Sequence, residues 1–510
     1  MVLFHLATPP PEELPSISSA EANTGFPTDD DSIDSATLTP TSTDDSTTSL
    51  EGRVNSTVQT LPPKYSTMSC NDMPPSQRHT HMANLARKIS HGTAVVESHL
   101  VKNRIPIPGF HKTLLLDYPA LPEHVARCRR EVIEATQELH DLMVGPRENV
   151  RWMAWDFMGT QCLQLISHYK LVNLVPPQGI MLAELATKTP LDPVNLARIL
   201  RYAMTRHIFS ESSTGLVSHT ASSLALRSDP SLAAWVGFNA EDIFPGAPRV
   251  LDALRRHPAA TDPTQTGFAV AEGTAGAASM FAALGRDPPR ARRMALAMAS
   301  LTGGEGYEVR HFAEGYARHL DRLDRRRGGG ILVDVGGSHG FACVELARRY
   351  RGMRFVVQDL PGTVGSAPRP VCGDDADVAA RVRVQAHDFF TAQPVQGADV
   401  YFFRWIMHNY ATPQAVRILQ ALVPALKPGA RVVINDHCLR GQGMEEPWDE
   451  KLVRGMDLVM MTCLNAQERT EAEFRKLFEL ANKGFVFMGV TRPKDCRMSI
   501  IEAVWKPNDV

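Results

Sequence analysis

No two of the eight cysteines in this 510-residue chain stand at the C-x-x-C spacing that would hold zinc or run thiol–disulfide exchange. Cys70, Cys128, Cys162, Cys343, Cys372, Cys438, Cys463 and Cys496 are widely scattered, so reduced and mostly buried thiols are expected. Neither sign of charge is in excess: 54 basic and 56 acidic residues leave a formal net charge of -2. That balance removes the electrostatic case for a nucleic-acid or anionic-membrane partner. No segment approaches the ~20 consecutive apolar residues of a membrane helix. The N-terminus carries acids early, where a secretory leader would have a basic region and an apolar core. These absences point to a cytoplasmic protein with no membrane partner, and no metal-ligand cluster is visible either.

What is present is unevenly distributed. Residues 1–82 are rich in Ser, Thr, Asp and Pro, as in Thr28–Leu50 (TDDDSIDSATLTPTSTDDSTTSL), and too poor in apolar residues to order themselves. A disordered tail is expected there. From Ala83 to about Leu142 the apolar residues recur at helical spacing, as in LPEHVARCRREVIEATQELHDL from Leu121. Between Trp152 and Leu224 three helical segments precede a short strand and turn (IFSESSTGLVSHT), the order of a winged helix. Its third helix carries Arg198, Arg201 and Arg206, but acidic and apolar residues interrupt the patch, and fold does not fix function. Thr264–Tyr307 reads as helical, and its Met280, Met294 and Met298 suit either an apolar pocket or simple core packing.

The most informative stretch is Ile331–Gly340, ILVDVGGSHG: a buried apolar strand, a carboxylate, then a glycine turn, followed by the helical pattern FACVELARRY. Such turns serve dinucleotides, flavins and S-adenosylmethionine alike. The adjacent Gly336 and Gly337 depart from the G-x-G-x-x-G spacing, which disfavours a dinucleotide. A second strand, RFVVQD, ends in Asp359, where a carboxylate can bind a ribose diol, and a third, VRVQAHD, ends in Asp388 beside Phe389, which suits an adenine. Each acid alone would serve as well to cap the segment after it.

A fourth strand, ADVYFF, runs into RWIMHNY and so places His408 at the lip where doubly wound sheets bind ligands. A fifth, ARVVIND, delivers Asp436, and Glu468 follows in the polar segment NAQERTEAEF. An imidazole with an unperturbed pKa of ~6.5 can accept a proton at neutral pH, and a carboxylate on its second nitrogen fixes the tautomer. A buried core or capping histidine is the alternative for His408 taken by itself.

Together the segments LARILRYAMT, GLVSHT, LVDVGGSHG, VVQDLP, RWIMHNY, KGF and MSIIEAVW resemble the S-adenosylmethionine-dependent, cation-independent O-methyltransferases of the caffeic acid O-methyltransferase type, in particular their fungal secondary-metabolism branch. The resemblance covers about residues 85–507. It implies an α/β fold: a Rossmann-like methyltransferase domain with a seven-stranded mixed sheet at 328–510, after a helical, winged-helix dimerisation domain at 83–327 that also supplies substrate-pocket helices. It further implies a homodimer. By the same resemblance His408 is the catalytic base, Asp436 and Glu468 orient it, and Gly336, Gly337, Asp359, Asp388, Phe389 and Arg404 contact S-adenosylmethionine. Met298 and Met460 fall at substrate positions. Ser338, Asn409, Asp436 and Arg404 depart from the plant pattern, and the segment around Leu464 and Asn465 does not follow it, which counts against a phenylpropanoid substrate.

The expected activity is methylation of a phenolic hydroxyl on an aromatic, polyketide-like small molecule. Two other readings stay open at this point: methyl transfer to another atom such as nitrogen, and a catalytically inactive cofactor-binding regulator that uses its winged helix.

Overall fold

The computed structural model describes residues 75–507, apart from 112–116, 368–370 and 374. The expected disordered tail lies outside the described residues as far as residue 74. Residues 75–82, assigned to that tail from composition, instead begin the first helix, α1 (Pro75–Lys102). It packs on α2 (Glu123–Val144) through Val96, Leu100 and Val125, the apolar positions that helical periodicity singles out. Gly92 permits the close approach, since a side chain there would meet Val132 and the Cys128 carbonyl.

Next come α3 (Phe157–His168), β1 (Ile180–Met181), α4 (Leu182–Thr187), α5 (Pro193–Met204), β2 (Ser210–Glu211) and β3 (Leu216–Ser218). β3 lies between β1 and β2 and is antiparallel to both. α5 starts where Asp192 accepts the amides of Val194 and Asn195, and its Leu196, Leu200 and Ala203 bury one face against Leu171, Leu185 and Phe209. Arg201 is paired with Glu211 at 2.7 Å and Arg206 with Asp156 at 3.3 Å, so two of the three arginines on this unit already face carboxylates.

The helix expected across residues 264–307 is broken into three: Gly267–Ala271, Met280–Gly285 and α6 (Pro288–Thr302). The first break contains Gly273 and Gly276 in left-handed conformation (φ 69° and 75°). The second is set by Asp287 capping a helix that opens on two prolines. α6 is anchored by Arg290 and Arg293, which grip the buried Asp242 at 2.7 and 2.8 Å.

The remaining chain builds a seven-stranded sheet with helices on both faces: β4 (Ile331–Val335), α7 (Phe341–Arg349), β5 (Arg354–Asp359), β6 (Val382–Ala386), β7 (Val400–Arg404), α8 (Thr412–Leu422) and β8 (Arg431–Asp436). There follow β9 (Cys438–Leu439), α9 (Pro447–Leu464), β10 (Arg469–Thr470), α10 (Glu471–Ala481), β11 (Phe485–Thr491) and β12 (Ser499–Trp505). Strand order is β6-β5-β4-β7-β8-β12-β11, and β12 alone runs against the rest. The central strands are continuous apolar runs because both faces are covered. Val333, Tyr401, Phe403 and Ile434 point to one layer with Ile418 and Phe478, while Leu332, Phe355, Val357 and Phe402 point to the other with Leu346 and Phe312. Order reverses between β4 and β7, so their carboxyl ends splay apart and leave a crevice.

Candidate active site

His408 stands four residues past the end of β7, on that crevice. The chain reaches it through Trp405, whose φ of 58° is left-handed and unusual for a bulky residue. Three ties hold the turn: Trp405 N–H donates to the Asn435 carbonyl at 3.2 Å, Asn409 donates to the Trp405 carbonyl at 2.8 Å, and the buried Arg469 donates to the Met407 carbonyl at 2.6 Å. Asn409, which departs from the plant pattern, thus has a structural task.

Glu468 reaches the histidine by strand register. β9 pairs with β10 in parallel, Cys438 opposite Arg469, which sets the preceding residues His437 and Glu468 side by side. Asp457 on α9 accepts the Glu468 amide at 2.8 Å, and Thr470 closes a capping box with Glu473 at the start of α10. The outcome is a buried contact of 2.9 Å between His408 Nδ1 and Glu468 Oε1. Burial opposes charge on both partners, yet the mutual attraction wins. Glu468 is held down at about 2 by His408 and His437, and the His408 imidazolium is favoured above its ordinary range by Glu468 and, further off, Asp436.

Asp436 plays a different part from the one expected. Its Oδ2 accepts the backbone amide of His408 at 3.1 Å, and no hydrogen bond joins it to the imidazole. The carboxylate therefore fixes the main chain of the lip, and Glu468 alone of the two orients the ring. Burial pushes the Asp436 carboxyl up.

The glycine turn lies across the crevice. Gly336 and Gly337 donate to the Gln358 carbonyl at 2.8 and 3.0 Å. A side chain at Gly336 (φ 78°) would lie 2.6 Å from Ile406 Cδ1 and 3.5 Å from Phe389 Cε1, and one at Gly337 would run into the Asp334 carboxylate. Asp359 Oδ2 accepts the Ser338 amide at 2.9 Å and Oδ1 the Leu360 amide at 2.8 Å, tying β5 to the turn. Asp388 accepts the Phe390 amide at 2.9 Å at the end of β6, the local capping role that its sequence also allowed. Arg404 is buried, donates to Asn435 and to the Tyr307 carbonyl, and is brought down to about 10 by that burial.

The pattern of the O-methyltransferase domain matches residues 272–486. Chlorophenol O-methyltransferase of Trichoderma longibrachiatum is 52% identical over 427 residues, which span 84% of this chain and 90% of that protein. The chain belongs to the S-adenosylmethionine-dependent O-methyltransferases. Among solved structures, the crystal structure of OxaC superposes with a TM-score of 0.66 at 21% identity, covering 83% of this chain and 99% of that one. A protein described as a pericyclic reaction enzyme superposes with a TM-score of 0.60 at 23% identity, covering 74% and 94%. These likenesses establish the fold, and the second shows why the fold by itself does not name a reaction.

The methyltransferase has a crevice that fits S-adenosylmethionine in kind. Its first two glycines leave the backbone bare, Phe389 presents a ring edge beside Gly336, and Asp359 sits within hydrogen-bond distance of the turn. Both Asp359 oxygens already accept one amide, and a carboxylate retains further lone pairs for a diol. The two methionines part company. Met460 is buried with Phe268, Leu464 and Met280 between α9 and the helices preceding it, whereas Met298 lies 37% exposed on α6, outside that cluster. Sequence reasoning missed Trp405, Tyr307, His437 and Arg469, which surround the His408–Glu468 pair. Of these, Arg469 and His437 were detectable only as charged or polar neighbours of chosen residues; their burial was not.

Proposed function

We propose that this methyltransferase transfers a methyl group to the hydroxyl oxygen of a phenol, with His408 as general base. The observation that carries the reading is the buried His408–Glu468 contact of 2.9 Å at the mouth of the crevice. With Nδ1 held by the carboxylate, the Nε2 lone pair is the free position, and it takes the hydroxyl proton as the oxygen–methyl bond forms. The cofactor supplies a methyl group already activated on a positively charged sulfur, which needs no metal ion. Gly336, Gly337, Asp359, Asp388 and Phe389 are the residues we assign to holding it. Arg404 sits behind them as a brace, pairing with Asn435 and the Tyr307 carbonyl.

A phenol with a Tyr-like pKa of ~10 is mostly protonated at neutral pH and needs this base. Halogenated rings bring the hydroxyl lower, and the 52% identity to a chlorophenol O-methyltransferase makes chlorinated phenols the first candidates, ahead of larger aromatic polyketides. Met460 and its apolar neighbours between α6 and α9 are the residues we assign to packing against such a ring. An amine acceptor would not require a carboxylate-held imidazole, so nitrogen methylation is the less favoured reading. We also assign residues 83–327 to substrate and dimer contacts and 328–510 to the cofactor, with a second copy of the chain as partner. No helix among the described residues is long and apolar enough to cross a membrane.

The test is direct. Purified protein with S-adenosylmethionine and a panel of chlorophenols and hydroxylated polyketides should yield methyl ethers by mass spectrometry. His408→Gln should lower kcat by about 100-fold or more while S-adenosylmethionine binding by calorimetry stays near wild type. Full turnover in that variant would remove His408 from the mechanism.

A further inference from the structure

His437 directly follows Asp436 and is completely buried. Its Nδ1 lies 3.3 Å from Glu468 Oε1, the same oxygen that His408 Nδ1 meets at 2.9 Å. An ionised carboxylate can only accept, so both imidazoles must donate from Nδ1. The Nε2 of His437 then has no hydrogen-bond partner among the described residues. Its ring is fixed edge-on to Trp405 at 5.0 Å, and Tyr307 lies 5.7 Å away on another side. Trp405 in turn lies 5.1 Å from His408, so one indole in a strained backbone conformation packs against both histidines. An apolar side chain would fill this volume without leaving a buried ring nitrogen unpaired, an arrangement that costs stability.

We propose that His437 is a positioning residue: its Nδ1–H shares Glu468 Oε1 with the base, dividing the pull of that carboxylate between two donors and so loosening its hold on the His408 proton. The inference rests on the reading of His408 as base. A carboxylate that served His408 alone would hold the imidazolium more firmly and leave less of the neutral base that proton abstraction requires. The other groups facing the pair are Asp436 from β8, Arg469 from β10, Asp457 from α9 on the Glu468 amide, Arg404 within electrostatic reach of Asp436, and Tyr307 beside His437. None of these replaces a second hydrogen bond on Glu468 Oε1. Burial lifts the Tyr307 hydroxyl to about 12, so it stays neutral throughout the working range.

Three substitutions separate the donor from the ring. His437→Asn places an amide nitrogen near the Nδ1 position and keeps the donor, His437→Gln reaches instead to the Nε2 position, and His437→Leu removes both. The titration midpoint of His408 is read by NMR of isotope-labelled histidine side chains in the cofactor-free protein, with His408→Gln identifying the resonance. His437→Leu and His437→Gln should raise that midpoint by about one pH unit, the size expected when a hydrogen bond to a charged group is lost. The acid limb of kcat/KM for a chlorophenol should move up with it, lowering kcat/KM about tenfold on that limb. His437→Asn should keep the wild-type midpoint.

An unmoved midpoint in His437→Leu, or a shift in His437→Asn as large as in His437→Leu, overturns the proposal. Should the leucine variant fail to fold, the Asn and Gln variants make the same comparison. The NMR midpoint needs no turnover, so it decides the sharing of Glu468 even if His408→Gln proves active and the base assignment falls.

Discussion

The His408–Glu468 pair is almost wholly buried, and its pH behaviour follows from the two opposite shifts. Glu468 titrates near 2 in the folded chain against an ordinary 4.5, so its contribution to stability is complete above about 4.5 and is lost as pH falls toward 2. His408 is shifted up from 6.5, so its contribution is complete below about 6.5 and is lost as pH rises through the folded value. The pair therefore stabilises most between about pH 4.5 and 6.5. Chemical denaturation of wild type and Glu468→Gln should show a gap of about 3–5 kcal/mol in that window, the usual cost of removing one partner of a buried pair, and a smaller gap at pH 3 and at pH 9. A gap independent of pH would mean that the two groups are not coupled. His408 and Glu468 were both legible in the sequence because each sits at a strand or turn boundary beside recognisable motif residues. The exact partner of Asp436 was not: whether a carboxylate takes a ring or a backbone amide depends on a few tenths of an ångström of lip geometry.

At the scale of elements, the glycine turn has little room to spare. Gly337 faces the buried Asp334, whose carboxyl burial lifts to about 7, and Val357 Cγ1 would stand 3.0 Å from any added Cβ. Gly337→Ala should cost about 1–3 kcal/mol in stability by overpacking and weaken S-adenosylmethionine binding at least tenfold, read by thermal melting and calorimetry. Binding at wild-type strength would show that the turn can shift away from its present path. The strands around this turn were readable from their apolar runs, and each was found within two residues of its expected bounds, Asp388 lying just past the end of β6. The stretch 264–307 was not. Its helical periodicity is real within Pro288–Thr302, but Gly273, Gly276 and the paired prolines interrupt what the average pattern presents as continuous. The short β9–β10 pairing was equally hidden, since two residues per strand leave no periodicity to detect.

At the scale of the whole molecule, one run of exposed apolar side chains stands out among the described residues. Met143, Val150, Trp152, Met153, Trp155 and Phe157 follow one another between the end of α2 and the start of α3, with Met143 and Val150 each 69% exposed. So many exposed apolar side chains on one short stretch fit a covering partner, and α1 and α2 beside it belong to the segment we assign to dimer contacts. Sedimentation at micromolar concentration should give twice the chain mass of 56.2 kDa, and Trp152→Glu together with Met153→Glu should shift it to the monomer. A wild-type monomer at that concentration would count against the second copy.

The amino-acid sequence by itself determined the family, the order of the parallel strands β4 to β8 and the positions of the glycine turn, the acids after those strands and His408. Those depend on local patterning, which needs only near neighbours along the chain. What the tertiary structure alone decided is how groups far apart in sequence meet: Glu468, sixty residues beyond His408, docking on its Nδ1, Asp436 choosing the backbone, and His437 arriving on the same carboxylate oxygen. Those meetings are set by strand register and by the packing of α9 and α10 behind the lip, and no period along the chain encodes them.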